Sequence, residues 1–293
     1  MKLKGIITAL VTPLLDGEAK LNKPVLQEIT EYAISNGVHG VCVLGGTGEY
    51  CALTDEVKTS AIETVVEKVN GRVPVVVGIV EPGIGQTIKM VRKAKEIGAD
   101  VAMVVSPYYV SVSQEGLIDY YSKISDTADI PLVLYNVPYR TGTNIEPQTV
   151  STIADQCNVI GIKECSPNMA QVQKLISLCG DKISLLSGED LFVVLEMTFG
   201  IEGGILASAS IIPDKWVEIY DAMKKGDIKG AIERHTKLLP FFSAMFSECN
   251  PGPLKASMEL KGFNVGPVVS PLTQIKEENL AKLKAVMKDM RMI

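Results

Sequence analysis

Histidine is nearly absent. His39 and His235 are the only two in 293 residues, so Ser/His/Asp triads and histidine-based metal sites have almost no material, and no metal or cofactor is expected. The six cysteines, Cys42, Cys51, Cys157, Cys165, Cys179 and Cys249, include no CxxC pair. They read as reduced thiols, with Cys42 and Cys165 lying in apolar runs as small hydrophobes. An excess of positive charge is also missing. Lys plus Arg number 29 against 34 Asp plus Glu, a net charge of -5, which is a poor match for nucleic acid or an anionic membrane and points to a small-molecule partner. No run of 18 apolar residues exists, and the first apolar stretch, Gly5 to Val11, runs into Thr12, Pro13 and Asp16. That is too short for a transmembrane span or a signal sequence, so a cytoplasmic protein is expected. No low-complexity stretch or disordered composition is present.

What the chain does have is alternation. Apolar runs rich in Val and Ile occur at Gly5 to Val11, Val38 to Leu44, Val73 to Val80, Asp100 to Ser106, Pro131 to Asn136, Asn158 to Glu164, Ile183 to Ser187 and Ile201 to Ala207. Each is followed by a stretch of helical period, roughly 10 to 17 residues long. This is the pattern of parallel strands joined by crossover helices, and eight such units predict an α/β fold of the (β/α)8 TIM-barrel type. A doubly wound open sheet is the second possibility, because alternation alone does not close a sheet. Asn22 with Pro24, Thr54-Asp55-Glu56, and Glu146 before Pro147 mark helix starts, while Gly37 and Gly98 follow last turns. Beyond Pro213 only helical segments are expected, interrupted at Pro240 and at Asn250-Pro251-Gly252-Pro253. The reading is one structural unit, a barrel over residues 1–224 with a helical region over 225–293 packed on it.

A barrel's chemistry sits at the C-terminal ends of its strands. The second run ends in Gly45-Gly46-Thr47-Gly48-Glu49, a turn whose backbone N–H groups suit a carboxylate or phosphate. Its spacing is that of neither a dinucleotide fingerprint nor a P-loop. The fourth run ends in Ser106-Pro107-Tyr108-Tyr109. The fifth ends in Tyr135-Asn136-Val137-Pro138-Tyr139-Arg140, where alternation turns Tyr135 toward the barrel mouth and Arg140 is placed to grip a carboxylate. The sixth, Asn158 to Glu164, carries Lys163 on the face it shares with Gly161. A lysine on the inner face loses hydration, which lowers its pKa and prepares a neutral amine to attack a carbonyl. Schiff-base chemistry is the reading this supports.

The ordered motifs ITALVTP, GGTGE, SPYY, YNVPYRTG, GIKE, LSGED and NPGPLK resemble the dihydrodipicolinate synthase and N-acetylneuraminate lyase family of pyruvate-dependent class I aldolases over nearly the whole chain. The resemblance implies a barrel with a helical C-terminal region and a homotetramer. It makes Lys163 the Schiff-base lysine, Tyr135 the proton-transfer tyrosine, Thr47 the holder of the pyruvate carboxylate, and Tyr109 a residue inserted into a neighbouring subunit's site. Arg140-Thr141-Gly142 looks like the synthase branch, where the arginine receives the carboxylate of aspartate semialdehyde. Gly46 and Gly48 of the turn, with Gly188 and Ile205, are assigned to substrate binding. Two departures stand out: Gly46 replaces a threonine that links two tyrosines in a proton relay, and Ile79 to Gly83 differs from the synthases.

The leading expectation is therefore a lyase that condenses pyruvate with an aldehyde, aspartate semialdehyde in lysine biosynthesis. The alternatives are an aldolase or dehydratase of a 2-keto-3-deoxy sugar acid or related hydroxy-keto acid, supported by Gly46, and a keto-acid-binding regulatory module without catalysis. The resemblance also implies where lysine would bind a regulated relative. The matching positions here are Gln86, Pro82 and Lys58, a set that predicts no inhibition by lysine.

Overall fold

The computed structural model describes residues 2–15 and 20–293; Asp16, which enters the reading of the N-terminal stretch, lies outside them. Eight parallel strands close on themselves in chain order: β1 (Gly5–Ala9), β2 (Gly40–Leu44), β3 (Val75–Ile79), β4 (Val101–Val105), β5 (Leu132–Asn136), β6 (Val159–Glu164), β7 (Ser184–Ser187) and β8 (Gly203–Leu206). β1 pairs with β8, with Ile7 opposite Ile205, so the sheet has no free edge and the open-sheet alternative is excluded. The Val- and Ile-rich composition has a direct cause. Both faces of each strand are buried, which favours branched apolar side chains at consecutive positions.

Alternate residues divide into two apolar clusters. Ile7, Cys42, Val76, Met103, Val133, Tyr135, Leu186 and Ile205 fill the barrel interior. Ile6, Val41, Val77, Leu134 and Ile162 face outward and pack with the helices. Those helices are α1 (Lys23–Ser35), α2 (Asp55–Val69), α3 (Ile84–Ile97), α4 (Gln114–Ala128), α5 (Pro138–Thr141), α6 (Pro147–Gln156), α7 (Met169–Cys179), α8 (Val193–Phe199) and α9 (Pro213–Lys224). Three more, α10 (Ile228–Met245), α11 (Gly252–Leu260) and α12 (Glu277–Asp289), follow the barrel. α10 packs on α9, and α12 packs on α10 and α11.

The expected helix starts are in place, but by different means. Thr54 accepts a hydrogen bond from the Val57 N–H (3.4 Å), whereas neither Asn22 nor Glu146 caps through its side chain. Two expectations about helix length are corrected. α8 has only seven residues, and the segment after β5 is split into the four-residue α5 and the ten-residue α6. Pro240 does not interrupt its helix. α10 runs through it, because Pro240 faces solvent and water can serve the carbonyl that the missing N–H would have bonded. Among the described residues no helix is long and apolar enough to cross a membrane.

Candidate active site

β6 ends in two charged residues that point to opposite faces. Glu164 turns outward, where the Asn136 amide donates to both its oxygens (3.0 Å each), the Ser166 N–H to Oε1 (2.6 Å) and Gln171 Nε2 to Oε2 (3.0 Å). These bonds fix the end of the strand. Lys163, the inward neighbour, is 8% exposed. It pairs in register with Tyr135 of β5, and its Nζ lies 4.6 Å from the centre of the tyrosine ring. On the other side stands Gly188, where a Cβ would come within 2.0 Å of Cys165 Sγ and 2.8 Å of Lys163 Cε. Only glycine lets the loop after β7 approach the lysine this closely.

The electrostatics correct one expectation. Burial works against the Lys163 ammonium as foreseen, but the anionic forms of Tyr135, Cys165 and Cys42, together with Glu189, favour it and prevail; the pKa lies above the ordinary lysine value, not below it. Burial also pushes up Tyr135 and Cys165, and Cys42 to about 11. Lys163 is thus held as an ammonium and has to give up a proton before it can attack a carbonyl.

In the Gly45 to Glu49 turn three N–H groups are bonded to the backbone. Gly45 takes φ 70° and donates to Gly78 O (3.0 Å), Gly48 donates to Leu44 O (3.2 Å) and Glu49 to Gly46 O (3.2 Å). Among the described residues the N–H groups of Gly46 and Thr47 have no such backbone partner. Gly48, expected among the binding residues, belongs instead to the turn: a Cβ there would lie 2.5 Å from Leu44 Cα. Thr47 is buried, and its Oγ1 accepts from Asn250 Nδ2 at 2.9 Å. With its acceptor side occupied, the hydroxyl keeps its own proton for a substrate. A buried ion pair, Lys255 Nζ to Glu49 Oε1 at 2.5 Å, joins the same turn to α11.

A cavity of about 340 Å³ joins Gly46, Thr47, Tyr135, Arg140, Lys163, Gly188 and Ile205, seven of the nine residues read from the sequence. Tyr109 stands apart. It is 98% exposed and in the left-handed backbone region, φ 73°, and does not line its own chain's cavity. The sequence reading misses Asn250, Cys165, Tyr139 and Glu189, which line the same space; Asn250, Tyr139 and Glu189 stand in the motifs above without an assigned role. A second chamber of about 370 Å³, lined by Tyr50, Cys51, Tyr108 and Leu272 among others, meets the first at Gly46, Tyr135, Arg140 and Asn250. Among the described residues no group of three or more His, Cys, Asp or Glu could hold a metal ion.

A lysine and a tyrosine face to face inside the mouth of a closed barrel, with a carboxylate-sized turn beside them, define a Schiff-base-forming lyase of the class I aldolase type. The chain belongs to the dihydrodipicolinate synthetase family, whose model matches residues 2–290. It is 40% identical over 290 residues to the 4-hydroxy-tetrahydrodipicolinate synthase of Thermodesulfovibrio yellowstonii, with 99% of each chain covered. Its structure superimposes on the crystal structure of dihydrodipicolinate synthase from Thermotoga maritima with a TM-score of 0.97 at 34% identity, covering all of both chains. YagE, a prophage protein of the family from E. coli K12 crystallised with pyruvate, matches with a TM-score of 0.93 at 29% identity, with 99% of each chain covered.

Proposed function

We propose that the protein condenses pyruvate with L-aspartate semialdehyde to give 4-hydroxy-tetrahydrodipicolinate, the reaction named for its synthase relatives in lysine biosynthesis. The observation that carries this reading is the opposition of Lys163 and Tyr135 in one cavity with Arg140. The carboxylate of pyruvate sits on the Thr47 hydroxyl and the free N–H groups of Gly46 and Thr47. Lys163 Nζ, once deprotonated, adds to the keto carbon, and loss of water leaves an imine. Removal of a proton from the methyl group gives the enamine, with Tyr135 moving the protons. The enamine carbon adds to the aldehyde of the second substrate, whose carboxylate Arg140 holds. The substrate's α-ammonium, once it has given up a proton, closes the ring on the imine carbon, and Lys163 leaves as the amine.

The subunits act as a homotetramer in which Tyr109 of one chain reaches the second chamber of a neighbour, beside Tyr135. The large apolar side chain left in water and the partly apolar chamber support this arrangement. The six cysteines are all free, which fits the reducing cytoplasm. Processing of a 2-keto-3-deoxy sugar acid is the second reading, favoured by the room at Gly46. A binding module without catalysis would need neither Lys163 nor Tyr135.

Borohydride added with pyruvate is expected to leave a pyruvate-derived mass on the peptide that contains Lys163, and the untreated enzyme to consume aspartate semialdehyde in a coupled assay. Labelling of another lysine, or of none, overturns the mechanism. Labelling of Lys163 without consumption of aspartate semialdehyde, but with cleavage of a keto-deoxy sugar acid, moves the protein to the second reading.

A further inference from the structure

Aspartate semialdehyde is a zwitterion. Its α-carbon carries an ammonium as well as the carboxylate assigned to Arg140, so a site built for it needs an anion close to the guanidinium. Three acidic side chains line the reaction cavity: Glu189, Asp190 and Glu248. Asp190 is committed to the fold. It is 3% exposed and accepts from both the N–H and the hydroxyl of Ser208, and that hydroxyl in turn accepts from Trp216 Nε1 at 2.7 Å. Glu248 faces away toward α12, accepting from the Lys276 N–H (2.9 Å) and Asn279 Nδ2 (2.8 Å).

Glu189 differs from both. Its Oε1 accepts from the Tyr139 hydroxyl at 2.9 Å, while its Oε2 makes no hydrogen bond or ion pair among the described residues. Burial pushes its carboxyl above the ordinary glutamate value, while the Tyr139 hydroxyl and the positive charges of Lys163 and Arg140 pull the other way. Tyr139 and Arg140 are consecutive residues of the short helix α5, so one turn of chain supplies the guanidinium directly and the carboxylate through the phenol that holds it. A ligand with adjacent positive and negative groups matches that pair.

Resting on the function proposed above, we propose that Glu189 receives the ammonium of the aldehyde substrate, and that the Tyr139 hydroxyl positions it for this. Glu189 then selects an amino aldehyde over an aldehyde or keto acid that bears only hydroxyls or hydrogen at that carbon. Such neutral groups leave its half-buried carboxylate without a cation.

Succinic semialdehyde tests this directly, since it keeps the carboxylate and the aldehyde and replaces the ammonium with hydrogen. In Glu189→Gln the KM for aspartate semialdehyde should rise about 10- to 100-fold, as for a lost charged hydrogen bond. Inhibition by succinic semialdehyde should stay the same or strengthen, and borohydride trapping of pyruvate on Lys163 should persist as the sign of an intact site. Tyr139→Phe should shift the same ratio in the same direction by a smaller factor. Equal loss of both aldehydes in Glu189→Gln, or an unchanged KM for aspartate semialdehyde, overturns the inference while leaving the function standing. A wild-type enzyme that ignores aspartate semialdehyde overturns the function, and the inference falls with it.

Discussion

Gly46 is one of the two departures from the synthase pattern read in the sequence, and its surroundings show what a side chain there would meet. A Cβ would lie 3.6 Å from Arg140 Nη1 and 3.7 Å from the Tyr135 hydroxyl, ordinary contact distances. Gly46→Thr should therefore fold normally and bring a hydroxyl to Tyr135. Turnover with aspartate semialdehyde should rise several-fold if that proton path is the slow one, as positioned acid-base groups contribute about 10²-fold or more; unchanged turnover in a folded variant sinks the relay argument. Residues of this kind were legible in the sequence because barrel chemistry is local to strand ends. Lys163 and Tyr135 follow from a period of two and a position. Asn250 does not, since its partner Thr47 is 203 residues away and no local rule joins them. The lysine's pKa was misread for a related reason. Burial is a property of the strand, but the opposing acids come from β2, β5 and the loop after β6.

At the scale of elements, the end of β7 and the helix behind it carry a second titrating group. Glu196 of α8 is 1% exposed, and neither carboxylate oxygen has a hydrogen-bond partner among the described residues. Burial pushes its carboxyl up to about 7; the nearby Ser187 hydroxyl opposes the shift and Glu164 and Glu189 add to it. The folded state thus holds a proton between about pH 4.5 and 7 that the unfolded chain releases. The sign follows: the contribution to stability is full below the unfolded pKa and is lost as pH rises through 7, by about 3 kcal/mol as an order of magnitude. Unfolding in denaturant at pH 5 and pH 8 should show this fall, and Glu196→Gln should remove most of it. An identical pH dependence in the variant would place the titration elsewhere. The eight strands themselves could be counted from sequence, because burial on both faces leaves unbroken apolar runs. The brevity of α8 and the division between α5 and α6 could not, since a crossover needs only enough helix to cover its part of the barrel.

At the scale of the molecule, regulation and assembly depend on surfaces away from the reacting atoms. Lys58 of α2 places its ammonium 3.2 Å from Glu81 Oε1 and 4.2 Å from the centre of the Tyr50 ring, and Tyr50 donates to the same carboxylate at 2.8 Å. A free amino acid arriving there would find the carboxylate already occupied by the chain's own cation, with Pro82 lacking an N–H donor and Gln86 lacking a charge. Lysine is accordingly expected to leave initial rates unchanged at sub-millimolar concentration, and half-inhibition in that range would show that the Lys58 and Glu81 pair gives way. Assembly has a genetic consequence, drawn from Tyr109, the ring that its own chain leaves almost wholly in water. If each catalytic centre takes its lysine from one polypeptide and this tyrosine from another, two defective alleles can cure each other. Cells that need this enzyme for growth should fail with Lys163→Ala alone or Tyr109→Ala alone, yet grow when both are expressed together. Random mixing leaves about a quarter of the centres with both residues intact, and failure of the pair to complement would return Tyr109 to its own subunit.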